Sequence, residues 1–104
     1  MNETQKTVSQ WADETFGLAS SNTRVAARAN EEMAELLRAL TTNDTDQKAV
    51  EEAADVVIVL YRLAERMGMD LHSEIDRKMS INRQRIWRIS DDGHGYHVRD
   101  KATA

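Results

Sequence analysis

Apolar residues recur three and four positions apart along most of the chain, and the breaks between these runs are short and polar. In the first run Val8, Trp11 and Ala12, with Thr15 and Phe16, share a face, which predicts a helix over residues 4–16 with that face inward. Gly17 and the stretch Ser20-Ser21-Asn22 end it, and Ser21 or Asn22 can cap the next helix. A second helix is predicted from about residue 23 to 40, with Val25, Ala29, Leu36 and Leu40 on one stripe. The loop Thr41-Thr42-Asn43-Asp44 follows, and Asp44 with Gln47 fits a capping box, so a third helix should start near Thr45. Its stripe is Val56, Val59 and Leu63, and Gly68 offers a left-handed stop after Met67. Asp70 can cap a fourth helix carrying Leu71, Ile75, Met79, Asn82, Ile86 and Ile89 on one face. After Ser90 the pattern lapses: Asp91 to Val98 holds Gly93, Gly95, His94 and His97 without a helical period, and residues 100–104 read as a frayed terminus. The expected fold is all-α, a four-helix bundle over residues 1–90 with a glycine- and histidine-containing tail over residues 91–104.

Composition narrows this picture. The 104 residues include no Pro and few Gly, as a helical domain requires, and no Cys, which removes disulfides and thiolate metal sites. Lys and Arg number 14 against 18 Asp and Glu, a net charge of −4, so nonspecific nucleic-acid binding is not the expected activity. The start is polar, and the longest apolar run, Val56 to Tyr61, is far short of a membrane span; a cytoplasmic protein is expected.

Candidate chemistry sits where the pattern is broken. Glu32 and Glu35 lie three apart on the second helix and Glu52 and Asp55 three apart on the third, interrupting the apolar stripes. Either pair alone is ordinary, because Glu is a good helix former on solvated faces. Both together, on helices joined by a short loop, can converge, and carboxylates on an apolar stripe need a positive partner. Oxygen donors suit a hard divalent cation, chiefly Mg²⁺ with Mn²⁺ as substitute, whereas a di-iron bundle would want Glu-x-x-His, which is absent. Lys78, Asn82 and Arg85 share a face of the fourth helix and are suited to phosphate oxygens, although a solvated basic face has the same spacing. Trp11 and Phe16 are candidates to stack on a base, with a core position the more ordinary use of such rings, and Asn30 can read a base or ribose edge or be a surface amide.

The pattern Glu31-Glu32-x-x-Glu35, then Glu52-x-x-Asp55 after sixteen residues, resembles the signature of the MazG-like all-α nucleoside triphosphate pyrophosphatases. Lys78-Met79-x-x-Asn82-x-x-Arg85-x-Trp87 is similar to a later segment of that family, and residues 92–98 resemble the tail of short, phage-associated members. The resemblance implies a Mg²⁺-dependent hydrolase that cleaves a nucleoside triphosphate between the α and β phosphates to give monophosphate and pyrophosphate. It implies Glu32, Glu35, Glu52 and Asp55 as metal ligands, Glu31 or Glu35 as the carboxylate that orients or deprotonates water, and Lys78, Asn82 and Arg85 as phosphate-binding groups. Glu51 matches no required position. The tail inclines the substrate toward dGTP or dATP. The resemblance implies a dimer or tetramer, and the apolar surface that four modest helices leave uncovered also points to a homo-oligomer, a tetramer ahead of a dimer. Two other readings remain: a dUTPase-like enzyme of narrow substrate range, and a non-enzymatic helical interaction module whose methionines line an adaptable surface.

Overall fold

A computed structural model of the chain describes residues 2–98; the expected fraying over residues 100–104 lies outside them. The order of elements is α1 (Gln5–Phe16), α2 (Asn22–Thr41), α3 (Asp46–Arg66), α4 (Leu71–Gln84), β1 (Trp87–Ile89) and β2 (Gly95–His97). They fall into two compact units, one ending at Leu71 and one beginning at His72.

In the first unit each helix starts on a hydroxyl. Thr4 accepts from the Thr7 amide at 3.2 Å while the Thr7 hydroxyl accepts from the Thr4 amide at 2.8 Å, a reciprocal capping box. Ser21 accepts from the Arg24 amide at 3.0 Å. At the start of α3 the cap is Thr45, which accepts from the Lys48 amide at 3.1 Å, and not the expected Asp44. The Asp44 carboxylate is spent one residue earlier, on the Thr45 amide. Asn43, at φ 57°, makes the left-handed turn that lets the Asp44 amide close on the Ala39 carbonyl at 3.0 Å. Gly68, at φ 71°, does the same after α3, as its position predicts.

Helix α3 packs against both α1 and α2. Its C-terminal end lies beside the N-terminal ends of both partners, since Gln5 donates to Glu65 at 2.9 Å and Arg66 to Asn22 at 2.9 Å. The buried residues are small: Ser9, Ala12, Val25, Ala39 and Val56. On α2 the stripe runs as predicted through Val25, Ala29, Glu32 and Leu36, but Ala39 ends it and Leu40 is exposed. On α1 the expectation of an inward Trp11 and Phe16 is overturned; the two residues are 53% and 67% exposed. Ser9 and Ala12 form the buried face instead, and small side chains let two helix backbones approach where an indole would hold them apart.

In the second unit the helix is shorter than the stripe suggests. It ends at Gln84, and Ile86 and Ile89 leave it. Trp87 to Ile89 pair antiparallel with Gly95 to His97, Trp87 opposite His97 and Ile89 opposite Gly95. The hairpin closes through the Ser90 amide on the His94 carbonyl at 2.7 Å, with Gly93 at φ 82° and the Asp92 carboxylate accepting from the His94 amide at 3.2 Å. Ile86 and Ile89 are three apart, a helical spacing, while Trp87 and Ile89 are two apart, a strand spacing, and the aspartate-glycine turn with aromatic and β-branched flanks decides for strand. Among the described residues no helix is long and apolar enough to cross a membrane.

Candidate active site

The acids on the stripes of α2 and α3 converge. One carboxylate oxygen each from Glu32, Glu52 and Asp55 lies within 4.8 Å of the other two. The short α2–α3 loop sets the two helices side by side, and the three-residue spacing of Glu52 and Asp55 puts both on the α2 side of α3. Glu32 and Glu52 are each only 13% exposed, whereas Asp55 is open to solvent. Carboxylates this close repel by about 3 kcal/mol per pair at an effective dielectric near 20, so the cluster calls for cations.

Two cations come from the helices themselves. Arg28 reaches Glu32 at 2.7 Å and Glu31 at 2.6 Å, and Lys48 reaches Glu52 at 2.9 Å. Each basic residue stands one turn before its half-buried acid, a spacing legible in the sequence although the acids alone drew attention there. The hydrogen bond from Arg28 holds the Glu31 carboxyl below the usual carboxylate range, and the same bond raises the Arg28 guanidinium. Lys48 is raised by its hydrogen bond to Glu52.

Glu35 is exposed and outside the group of three, and Glu51 points elsewhere, accepting from Gln47 at 3.4 Å. Glu32 and Asp55 also line one end of a cavity of about 710 Å³, whose other end is built from Trp11, Phe16 and the connection Gly17-Leu18-Ala19. That volume suits a ligand of nucleotide size, since small-molecule sites run to ~300–1,000 Å³. Trp11 and Phe16 meet edge to face, ring centroids 5.4 Å apart. Val25, Ile58 and Val59 form the apolar floor, and Arg24, Arg28 and Arg62 supply positive charge in the wall. Asn30 is exposed and does not line this cavity. The three arginines are functional candidates that the sequence reading missed; Arg62, seven residues after Asp55 on the same stripe, carried the clearest signal. A second hollow, of about 580 Å³ between the start of α1 and the end of α3, holds no acid cluster, and the Gln5 amide spans it to Glu65 and to the Met69 carbonyl.

Lys78, Asn82 and Arg85 belong to the second unit. Lys78 is exposed on α4, while Arg85, just past its end, donates to the Asn82 side chain at 3.3 Å. The Trp87 indole donates to the Asn82 carbonyl at 2.9 Å, so the tryptophan of the motif satisfies the end of α4 and starts the hairpin.

Comparison with known proteins adds to the geometry. A family model described as the MazG-like family matches residues 29–100. The chain is 34% identical over 98 residues to a dATP/dGTP diphosphohydrolase of Salmonella phage PMBT28, covering 94% of this chain and 31% of that protein. It is 40% identical over 47 residues to a dATP/dGTP diphosphohydrolase of Cyanophage S-2L, covering 45% of each. The chain thus spans about a third and under half the length of these two curated relatives. Among solved structures it is similar to the Cyanophage S-2L MazG-like pyrophosphohydrolase bound to dGDP and three catalytic Mn²⁺ ions per active site. That likeness has a TM-score of 0.71 and 28% identity, over 91% of this chain and 93% of the other. The four helices are therefore those of a known all-α fold, and the acid pattern on α2 and α3 has its family: the chain belongs to the MazG-like family.

Proposed function

We propose that the chain hydrolyses a nucleoside triphosphate between the α and β phosphates, releasing monophosphate and pyrophosphate, with the purine deoxynucleotides dGTP and dATP as substrates. The observation that carries this reading is the cavity itself, carboxylates at one end and exposed aromatic rings at the other. The names of the two phage relatives and the dGDP bound to the Cyanophage S-2L structure support the substrate class.

The donor set fits a divalent cation. Three oxygen donors lie within 4.8 Å of one another, and two of them are largely withdrawn from water and paired with exposed basic side chains of their own helices. Glu32, Glu52 and Asp55 would hold the ion, with Glu35 as the fourth ligand by motif position. When bound, Mg²⁺ or Mn²⁺ supplies compensation for the charge of the phosphate oxygens and a site for acidified water. Glu31 or Glu35 would take the proton of the attacking water as its oxygen bonds to the α-phosphorus. The bond from that phosphorus to the α–β bridging oxygen breaks as pyrophosphate leaves. Lys78, Asn82 and Arg85 are proposed to hold phosphate oxygens, and Trp11 and Phe16 to pack on the base. Met33, Leu37 and Leu40 on α2 and Val50 and Val57 on α3 are all exposed, which supports assembly into a homo-oligomer, a tetramer ahead of a dimer.

The test is product analysis on all ribo- and deoxyribonucleoside triphosphates, dUTP included, with Mg²⁺ or Mn²⁺ and a chelator control. Monophosphate plus pyrophosphate, fastest from dGTP or dATP, is expected; inorganic phosphate plus diphosphate would overturn the site of cleavage. Glu35→Gln should abolish turnover with the helical circular dichroism intact, and retained activity would remove Glu35 from the mechanism.

A further inference from the structure

The connection between α1 and α2 is held from outside by two arginines of α3. After Gly17, at φ 80°, the backbone runs without regular structure to the Ser21 cap. Within it the Gly17 carbonyl accepts from Arg62 Nη2 at 2.6 Å, and the Ala19 carbonyl accepts from Arg66 Nη1 at 3.2 Å. The same Arg62 nitrogen donates to the Asp13 carboxylate at 3.0 Å, and Arg66 Nε donates to the Asn22 side chain at 2.9 Å. Four side-chain hydrogen bonds thus do here what a backbone ladder does inside a helix. Arg62 is itself 14% exposed, and its buried Nε has no hydrogen-bond partner. Leaving a buried donor unpaired is costly, so the side chain is held there at some expense to stability.

We propose that Arg62, assisted by Arg66 one turn later, is the positioning residue that fixes the aromatic wall of the cavity and so sets which base the site accepts; this rests on the nucleotide reading above. The wall cannot fix itself. Phe16 and Leu18 are 67% and 83% exposed and Trp11 is 53% exposed, so burial gives these side chains little to hold them. Trp11 is carried by α1, whose Ser9 and Ala12 face is buried, whereas Phe16 and Leu18 are placed by the backbone from Asp13 to Ala19, which is tied to α3 through Arg62 and Arg66. Stacking on an indole accepts any base, because every base has a π-face. Selection by size, a purine against a pyrimidine, therefore falls to how far the wall stands from the rest of the pocket, and that distance also sets whether base edges reach their hydrogen-bond partners. The tie also couples the two ends of the cavity: Arg62 lies two turns after Asp55 on one rigid helix, about 10 Å along its axis. The acids and the aromatic wall are therefore referred to the same ruler.

Arg62→Met, Arg62→Lys and Arg66→Met should be compared with the wild-type chain by hydrogen–deuterium exchange and by steady-state kinetics on dGTP, dATP, dCTP and dTTP with Mn²⁺. In Arg62→Met, exchange over residues 16–22 should rise at least about tenfold while residues 29–36 and 52–59 keep their protection. KM for the preferred base should rise about tenfold with a smaller fall in kcat, and the spread of kcat/KM across the four bases should narrow. Arg62→Lys keeps the charge on Asp13 but not the planar donor geometry, and should fall between Met and wild type. Arg66→Met, which leaves Asp13 and Gly17 tied, should show the same direction with a smaller effect, and covers the case in which Arg62→Met does not fold. Unchanged exchange over residues 16–22, or loosened exchange with an unaltered spread across bases, would overturn the proposal. A wild-type chain that hydrolyses none of the four would instead sink the nucleotide reading and base selection with it, while the exchange data would still decide whether the arginines hold the wall.

Discussion

The two ends of the cavity are built on opposite principles. At the acid end Glu32, Glu52 and Asp55 stand on the middle turns of long helices, where the backbone ladder fixes each Cα before any side chain interacts. At the aromatic end Trp11 sits within α1, but Phe16 is its last residue and Leu18 follows on irregular backbone, so the placement of these two depends on side-chain ties from α3. The chemistry of hydrolysis demands fixed donors, and the helical end provides them. The proposed selection of a base needs a wall held at one distance, and at the other end that task falls to the ties from Arg62 and Arg66. A consequence is that the two ends should respond separately to substitution.

The largest effect should follow from breaking the acid end. Glu52→Gln or Asp55→Asn should lower kcat by about a thousandfold or more, because either leaves the donor set a charge short, while circular dichroism stays helical. Next comes the metal itself. Mn²⁺ at about a hundred times its Kd should stabilise the wild-type chain by about 2.7 kcal/mol, read as a shift in thermal or urea midpoint. Glu52→Gln should lose that shift and Trp11→Ala should keep it; loss in both would show that the two ends are one cooperative unit. At the aromatic end, Trp11→Ala should cost about 1–3 kcal/mol of nucleotide binding, seen mainly in KM. The smallest effect belongs to the exposed counter-ions. Arg28→Gln frees Glu32 and should tighten Mn²⁺ binding a few-fold by calorimetry, since pairs with an exposed partner are worth about 0–1 kcal/mol. The same variant should flatten the acid limb of the stability curve. Glu31 is depressed by Arg28, so its contribution is present above the unfolded carboxyl pKa and is lost as pH falls through the folded one.

How much of this was legible in the sequence follows the same division. The four helices, the stop at Gly68 and the carboxylates on apolar stripes were readable, because helical period is local and each stripe supports its own assignment. Trp11 and Phe16 were misread as core because hydrophobicity reports a preference for burial but not the competition for it. The contact surface of α1 went to Ser9 and Ala12, which pack closer. Ile86 and Ile89 were misread as helix because a run that short fits two periods, and strand pairing with Gly95 to His97 is a long-range fact. Arg62 and Arg66 were missed altogether. Two of their four partners are backbone carbonyls some 45 residues away, and a carbonyl leaves no mark in the sequence of side chains.

The small buried set of the first unit has an evolutionary reading. With Ser9, Ala12, Ala39, Val25 and Val56 at the helix contacts, truncation removes little volume and opens little space. Enlargement is different: Ala12→Leu would have to push α1 off α3 and carry the aromatic wall with it. The chain is therefore tolerant of losing atoms at its contacts and intolerant of gaining them. Neutral drift in this lineage should run through the exposed large residues, with the interior small residues acting as its fixed points.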